Sequence, residues 1–287
     1  MLRLFFLLSC LLLLISSSSG QEKKLTLLDE GFYFYPILLD PTESLTSAAV
    51  FSLWEKDEDR SGVYVPVNIA FGQSLIRYRI DSISGWEFGM QAAAFTQFEI
   101  KPVGGGTYLG GMMNVDYRAT GFVNYHHNQF SIRFRVFHIS SHLADDYIIR
   151  NDITEPTPNT LNYEQVDLTL AHNKGPLRLY GQIGYIFTPN SVRERFSTQL
   201  GFQLRQIHRE ENFVRLLGGL DIKIFEENNY SPNYRAGVGV ELGQTTKTYL
   251  AILLDFYRGN LPYSTLEYKE VTWLGITSVV MPKFYKP

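Results

Sequence analysis

The chain has 287 residues, with 26 Lys+Arg against 29 Asp+Glu, and is 45% hydrophobic and 14% aromatic. That near-neutral balance leaves no basic footprint for nucleic acid, and 18 Tyr with 20 Phe exclude a disordered chain. The length suits one large domain or two small ones.

Residues 1–20 stand apart. MLRLFFLLSCLLLLI carries one positive charge, Arg3, then an almost unbroken apolar run that ends in SSSSG. A short basic start, an apolar stretch and small closing residues predict a secretory signal peptide over 1–20, and the run is too short to span a bilayer as a helix. Its removal takes away the single cysteine, Cys10, so the mature chain is expected to use no disulfide or thiol chemistry.

No later stretch offers 18 consecutive apolar residues, so no transmembrane helix is expected. Instead the apolar residues recur every second position. Residues 63–80 read as one strand, bulged at Gly72. In 86–98, Trp86, Phe88, Met90, Ala92 and Phe98 share one parity. The same period holds over 130–141, 162–170, 177–187, 196–204, 214–224 and 234–242. The last strand, Val271 to Val280, alternates poorly. Alternation puts one parity on each face of a sheet, and runs of ~10 residues match a tilted strand crossing a bilayer rather than the ~5–6 typical of soluble sheets.

Between the strands, short turn signals near 81–85, 124–129, 172–176, 208–212 and 244–247 alternate with longer ones near 55–62, 99–110, 141–161, 188–194, 226–231 and 259–268. That order predicts an all-β, closed antiparallel transmembrane barrel of about twelve strands over 47–281, both termini periplasmic, with a tail at 282–287. Residues 21–46 show no sustained alternation, and are expected to form a periplasmic N-terminal segment or to plug the barrel. A barrel of this type belongs in a bacterial outer membrane, with outer-membrane lipids and the barrel assembly machinery as its partners. The polar parity carries Arg118, Arg133, Arg135, Arg178, Arg205, Arg215 and Arg235 against Glu87, Asp116, Asp167, Asp221, Glu241 and Asp255. Mixed signs predict a salt-bridged, filled lumen rather than a charge-selective pore.

One strand breaks the pattern. In FSIRFRVFHISS (130–141), Phe130, Ile132, Phe134 and Val136 share their parity with His138 and Ser140. Two polar residues at the outer end of a lipid-facing row need an explanation. Side chains at i and i+2 of a strand lie side by side, so an imidazole can take a serine proton. The next strand puts Glu164 and Asn162 on the same face, and either of them, or the loop acid Asp152, is a candidate for orienting the histidine. The expected triad is Ser140, His138 and Glu164. Just beyond, His142, Asp145 and Asp146 are candidate ligands for Ca²⁺. No zinc, EF-hand, phosphate-loop or dinucleotide spacing is present.

The His-x-Ser pair on an outward strand resembles outer-membrane phospholipase A and the lipid A deacylase of Gram-negative bacteria, in which the serine attacks an acyl ester and the histidine is its base. Both typically carry Asn after the serine, where Ser141 stands here. The wider run FHISSHLADDY resembles an exported bacterial family of unknown function with a His-x-Ser-Ser-His-Leu-Gly-Asp-Glu signature, from which Ala144 and Asp146 depart. YPILLDP (35–41), RLYGQIGYIF (178–187) and FYRGNLPYS extend that resemblance over nearly the whole mature chain, and it implies an outer-membrane barrel. The expected function is a serine lipid acyl-ester hydrolase acting on phospholipid or lipid A. The alternative is a non-catalytic barrel, either a narrow channel or an envelope structural protein.

Overall fold

The computed structural model describes residues 24–56, 61–104, 107–154, 161–188, 193–206, 213–244 and 247–283. The expected leader, the expected turn at 208–212 and the last four residues of the expected tail lie outside the described residues.

Among those described, thirteen strands form one sheet: β1 (Lys24–Leu27), β2 (Thr46–Glu55), β3 (Ser61–Arg79), β4 (Ser84–Gly104), β5 (Thr107–His127), β6 (Phe130–Leu143), β7 (Asn162–Lys174), β8 (Leu177–Ile186), β9 (Phe196–Arg205), β10 (Val214–Phe225), β11 (Pro232–Leu242), β12 (Tyr249–Asn260) and β13 (Glu270–Met281). From β2 onward each strand pairs antiparallel with the next, and β13 returns to β2, closing a twelve-stranded barrel. Closure pairs the first and last strands of the meander, so neither β2 nor β13 is left as an open edge. No helix among the described residues is long and apolar enough to cross a membrane.

The two ends differ. At one, the turn end, β5 joins β6 through Asn128–Gln129 and β7 joins β8 through Gly175–Pro176. Asn128 (φ 54°) and Gly175 (φ 57°) supply the left-handed backbone that such tight turns require. The other, the loop end, carries a short helix α1 (Asp145–Arg150) after β6 and the 261–269 segment between β12 and β13.

The wall follows the period-two reading. Along β6, Phe130, Ile132, Phe134, Val136 and His138 are exposed while Ser131, Arg133, Arg135, Phe137 and Ile139 are buried. Of the expected lumen charges all but the half-buried Arg205 are buried. Several of them pair across strands, Arg135 with Asp167 at 2.7 Å, Glu87 with Arg77 of β3 at 2.7 Å and Arg215 with Glu241 at 3.3 Å. Much of the rest of the lumen is taken by residues 33–45, in which Phe34, Ile37, Leu38, Leu39, Asp40 and Glu43 are all buried. Glu43 accepts both Arg133 amino groups at 2.8 Å, and Asp40 receives Lys223 at 3.2 Å. Such bidentate, charge-assisted bonds offset the cost of taking both ions out of water.

Three readings are corrected. β3 is one strand, but its bulge lies at Leu75, between Ser74 and Ile76, and not at Gly72. Gly72 answers a different need, since a Cβ there would stand 3.0 Å from Phe32 Cζ. The loop expected at 99–110 is largely ladder, for β4 and β5 stay paired through Lys101↔Leu109 to Gly104↔Thr107. Finally, β1 forms inside a segment that shows no alternation, by pairing Lys24–Leu27 with Ile76–Arg79 of β3.

Candidate functional site

The outward row of β6 ends, toward the loop end, in His138, Ser140 and His142. Register places each against its neighbours. His138 lies opposite Glu164 of β7 and Ala119 of β5, while Ser140 lies between Asn162 and Tyr117. Directly opposed residues on one face lie within side-chain reach.

Two hydrogen-bonded pairs result. His138 Nδ1 donates to Glu164 Oε1 at 3.0 Å, and the other carboxylate oxygen accepts the Thr188 hydroxyl at 2.6 Å. The second pair is Ser140 Oγ with His142 Nε2, at 2.8 Å. Among the described residues Ser140 is therefore partnered by His142 and not by His138. The carboxylate fixes the His138 tautomer: with the proton on Nδ1, a neutral ring keeps its lone pair on Nε2, the form a general base needs. His138 and Glu164 side chains are each 48% exposed, so the pair sits on the outside of the wall.

Directly behind the row, β6 is fastened from the lumen. Ser141, fully buried, donates to Asp116 Oδ1 at 2.5 Å. Asp116 Oδ2 accepts both the N–H and the hydroxyl of Ser264 at 3.0 Å, and Thr265 bonds Ser141 at 3.1 Å. The 261–269 segment thus caps the loop end and holds the backbone from which Ser140 and His142 project. Arg193 joins the cap, pairing with Glu227 and with Glu267, the latter at 2.6 Å. Burial pushes the Glu267 carboxyl up to about 7, against the pull of Arg193 and helped by the nearby Glu227 charge.

The candidate calcium ligands are not drawn together. Asp146, in the first turn of α1, accepts the Met112 N–H at 3.1 Å, and His142 is engaged by Ser140. Among the described residues no group of three His, Cys, Asp or Glu side chains is placed to hold a metal ion. Tyr117, Thr188 and the Asp116–Ser264 latch were not singled out from sequence. Tyr117 shares parity with Val115 and Val123 of β5, so its outward side was legible. The three partnerships depend on interstrand register and on loop placement, which no periodicity encodes.

The barrel is similar to solved outer-membrane barrels. The outer membrane phospholipase of Salmonella typhi, solved as a dimer with bound calcium, superposes with a TM-score of 0.52 at 11% identity, over 84% of this chain and 91% of that one. The Escherichia coli outer membrane phospholipase A gives 0.52 at 11% identity, over 89% and 95%. At that identity the likeness carries the fold, an outer-membrane type of twelve-stranded barrel. A comparison with curated protein sequences finds no match. The family model described as "Protein of unknown function (DUF1207)" matches residues 20–280, and the chain belongs to that family.

Proposed function

We propose that this protein is an outer-membrane serine hydrolase that cleaves acyl esters of lipids in the outer leaflet. The loop end faces outward and the turn end faces the periplasm. The observation that carries the reading is the His138–Glu164 pair standing in one outward row with Ser140. An ester-bearing lipid reaches that row by lateral diffusion.

Ser140 lies between two imidazoles at i−2 and i+2. A change of its χ1 rotamer moves Oγ from His142 toward the carboxylate-oriented His138. Ser140 Oγ then attacks the acyl carbonyl carbon as its proton passes to His138 Nε2. Glu164, itself held by Thr188, stabilises the imidazolium without becoming protonated. Collapse of the tetrahedral intermediate expels the lipid alkoxide, which takes the proton from His138. Water, deprotonated by the same ring, then releases the fatty acid and restores Ser140. Asn162 and Tyr117, flanking Ser140 in register, are the groups from which the developing oxyanion is served. The two structural neighbours are named phospholipases, which agrees with the reading.

The test is release of fatty acid from phospholipid in mixed micelles by the refolded protein. Ser140→Ala is expected to lower it by roughly a thousandfold or more. Equal hydrolysis by the variant and the native chain overturns the proposal. The second reading, a non-catalytic envelope barrel, is favoured by one observation, the resting bond of Ser140 to His142. It predicts no hydrolysis from either protein.

A further inference from the structure

The barrel wall has a notch. β2 covers β3 from Ser61 to Asn68, and its last link is Thr46, whose hydroxyl both accepts the Ala70 N–H and donates to the Ala70 carbonyl at 3.1 Å. On that side the ladder resumes only at Leu75–Ile76, where Leu28 N–H and Leu27 meet β3. Ser74 faces inward and its carbonyl is taken by the Gln73 side chain. Behind the gap lies a cavity of about 240 Å³. Cavities of ~150 Å³ already admit a benzene-sized ligand.

The residues lining this cavity come from both faces of the wall. Its outer part is lined by Phe71 and Val280, which point outward and are 69% and 41% exposed. Its inner part is lined by Phe122, Gln91, Asn124 and Arg133. Three polar atoms on those inner residues are buried without a protein partner: Gln91 Oε1, Asn124 Oδ1 and Arg133 Nε. One donor and two acceptors left unpaired in a buried pocket carry a cost that a complementary ligand removes. A protonated carboxyl group can meet two of the three, since its carbonyl accepts from Arg133 and its hydroxyl donates to one of the two amide oxygens. Around the mouth, Leu25, Leu27, Leu28, Ile69 and Ile76 are exposed and apolar, a surface that suits lipid tails.

We infer that the notch binds a long-chain fatty acid, carboxyl group inward and alkyl chain emerging between β2 and β3 into the bilayer. The site lies toward the turn end, away from Ser140, and goes beyond the proposed hydrolysis. It shares with that proposal only the placement of the wall in lipid.

The test uses the full-length Ser140→Ala protein in phosphatidylcholine vesicles, so that hydrolysis plays no part. Two photoactivatable palmitic acids are compared, one with its diazirine near the carboxyl group and one with it near the chain end. The first is expected to label Phe122 and its neighbours, the second Phe71 and Val280, and unlabelled palmitate is expected to compete both away. Ala70→Trp, which fills the notch, is expected to cut inner labelling by about tenfold, equivalent to about 1.4 kcal/mol. Folding of that variant is read from its heat-dependent shift on gels. The native-wall labelling map stands as a test even if the variant fails to fold. Label confined to outward residues for both probes overturns the inference. So does inner labelling by the chain-end probe, or inner labelling by a diacyl phospholipid carrying the same chain-end group.

Discussion

At the scale of single residues, the proposed catalysis depends on which imidazole serves Ser140. His142 holds the hydroxyl at rest, whereas His138 has the oriented ring. Transition-state stabilisation needs the oriented one, because an imidazolium without a carboxylate partner is poorly stabilised on a partly apolar surface. His138→Ala is therefore expected to cost roughly a thousandfold in kcat, and His142→Ala no more than about tenfold. Single-substrate kinetics on the two variants check this, and the reverse ranking makes His142 the base. Glu164→Gln keeps a hydrogen-bonding shape but loses the charge, with an expected drop in kcat of roughly a hundredfold or more. The polar interruption of an apolar row made His138 and Ser140 legible in the sequence, and parity put Glu164 on their side. The pairing of Ser140 with His142 was not legible, since either neighbour on a strand lies at the same spacing.

At the scale of elements, β6 presents the row outward only because the lumen side is fixed. Ser141 and Asp116 tie β6 and β5 to the 261–269 cap. Ser141→Ala removes the shorter of two bonds to the buried Asp116 Oδ1 and leaves it the Asn114 amide at 3.1 Å, so a loss of about 1 kcal/mol is expected in unfolding experiments. Arg193 and Glu267 lock the same cap from the side. Glu267 titrates higher in the folded protein than its ordinary value of 4.5, so the folded state binds more protons between the two values. Its destabilising effect is absent below about pH 4.5, and stability falls as pH rises from there through about 7. Glu267→Gln is expected to flatten that part of the profile, measured as hydrogen exchange of the 261–269 segment against pH. An unchanged slope would reassign the effect to another group. Element boundaries were readable wherever a polar face opposed an apolar one, as in β6 to β11. β13 alternates poorly because its lumen face is apolar too: Trp273 stacks on Tyr257 at 3.9 Å and on Phe51 at 5.1 Å. With both faces apolar the period disappears.

At the scale of the whole molecule, a lumen filled by residues 33–45 and by crossed ion pairs leaves the outside of the wall as the place for chemistry. Arg133→Ala removes the bidentate partner of buried Glu43 and is expected to destabilise the barrel by about 3–5 kcal/mol, while replacing both residues by apolar ones of similar size restores most of the loss. Urea titration of the folded, gel-shifted fraction checks both. The charge pattern of the lumen was visible in the sequence. The plug was legible only as one of two alternatives for residues 21–46, because a segment that packs against charged walls through residues such as Glu43 and Phe34 has no period to trace. The central claim is that the wall carries a reactive serine facing lipid. Its most direct measurement is covalent labelling by a long-chain alkyl sulfonyl fluoride dissolved in the bilayer, in which the serine oxygen bonds to sulfur and fluoride leaves. One adduct is expected, on Ser140, and it is lost in His138→Ala. Failure of Ser140 to react, or reaction that persists without His138, would contradict the claim.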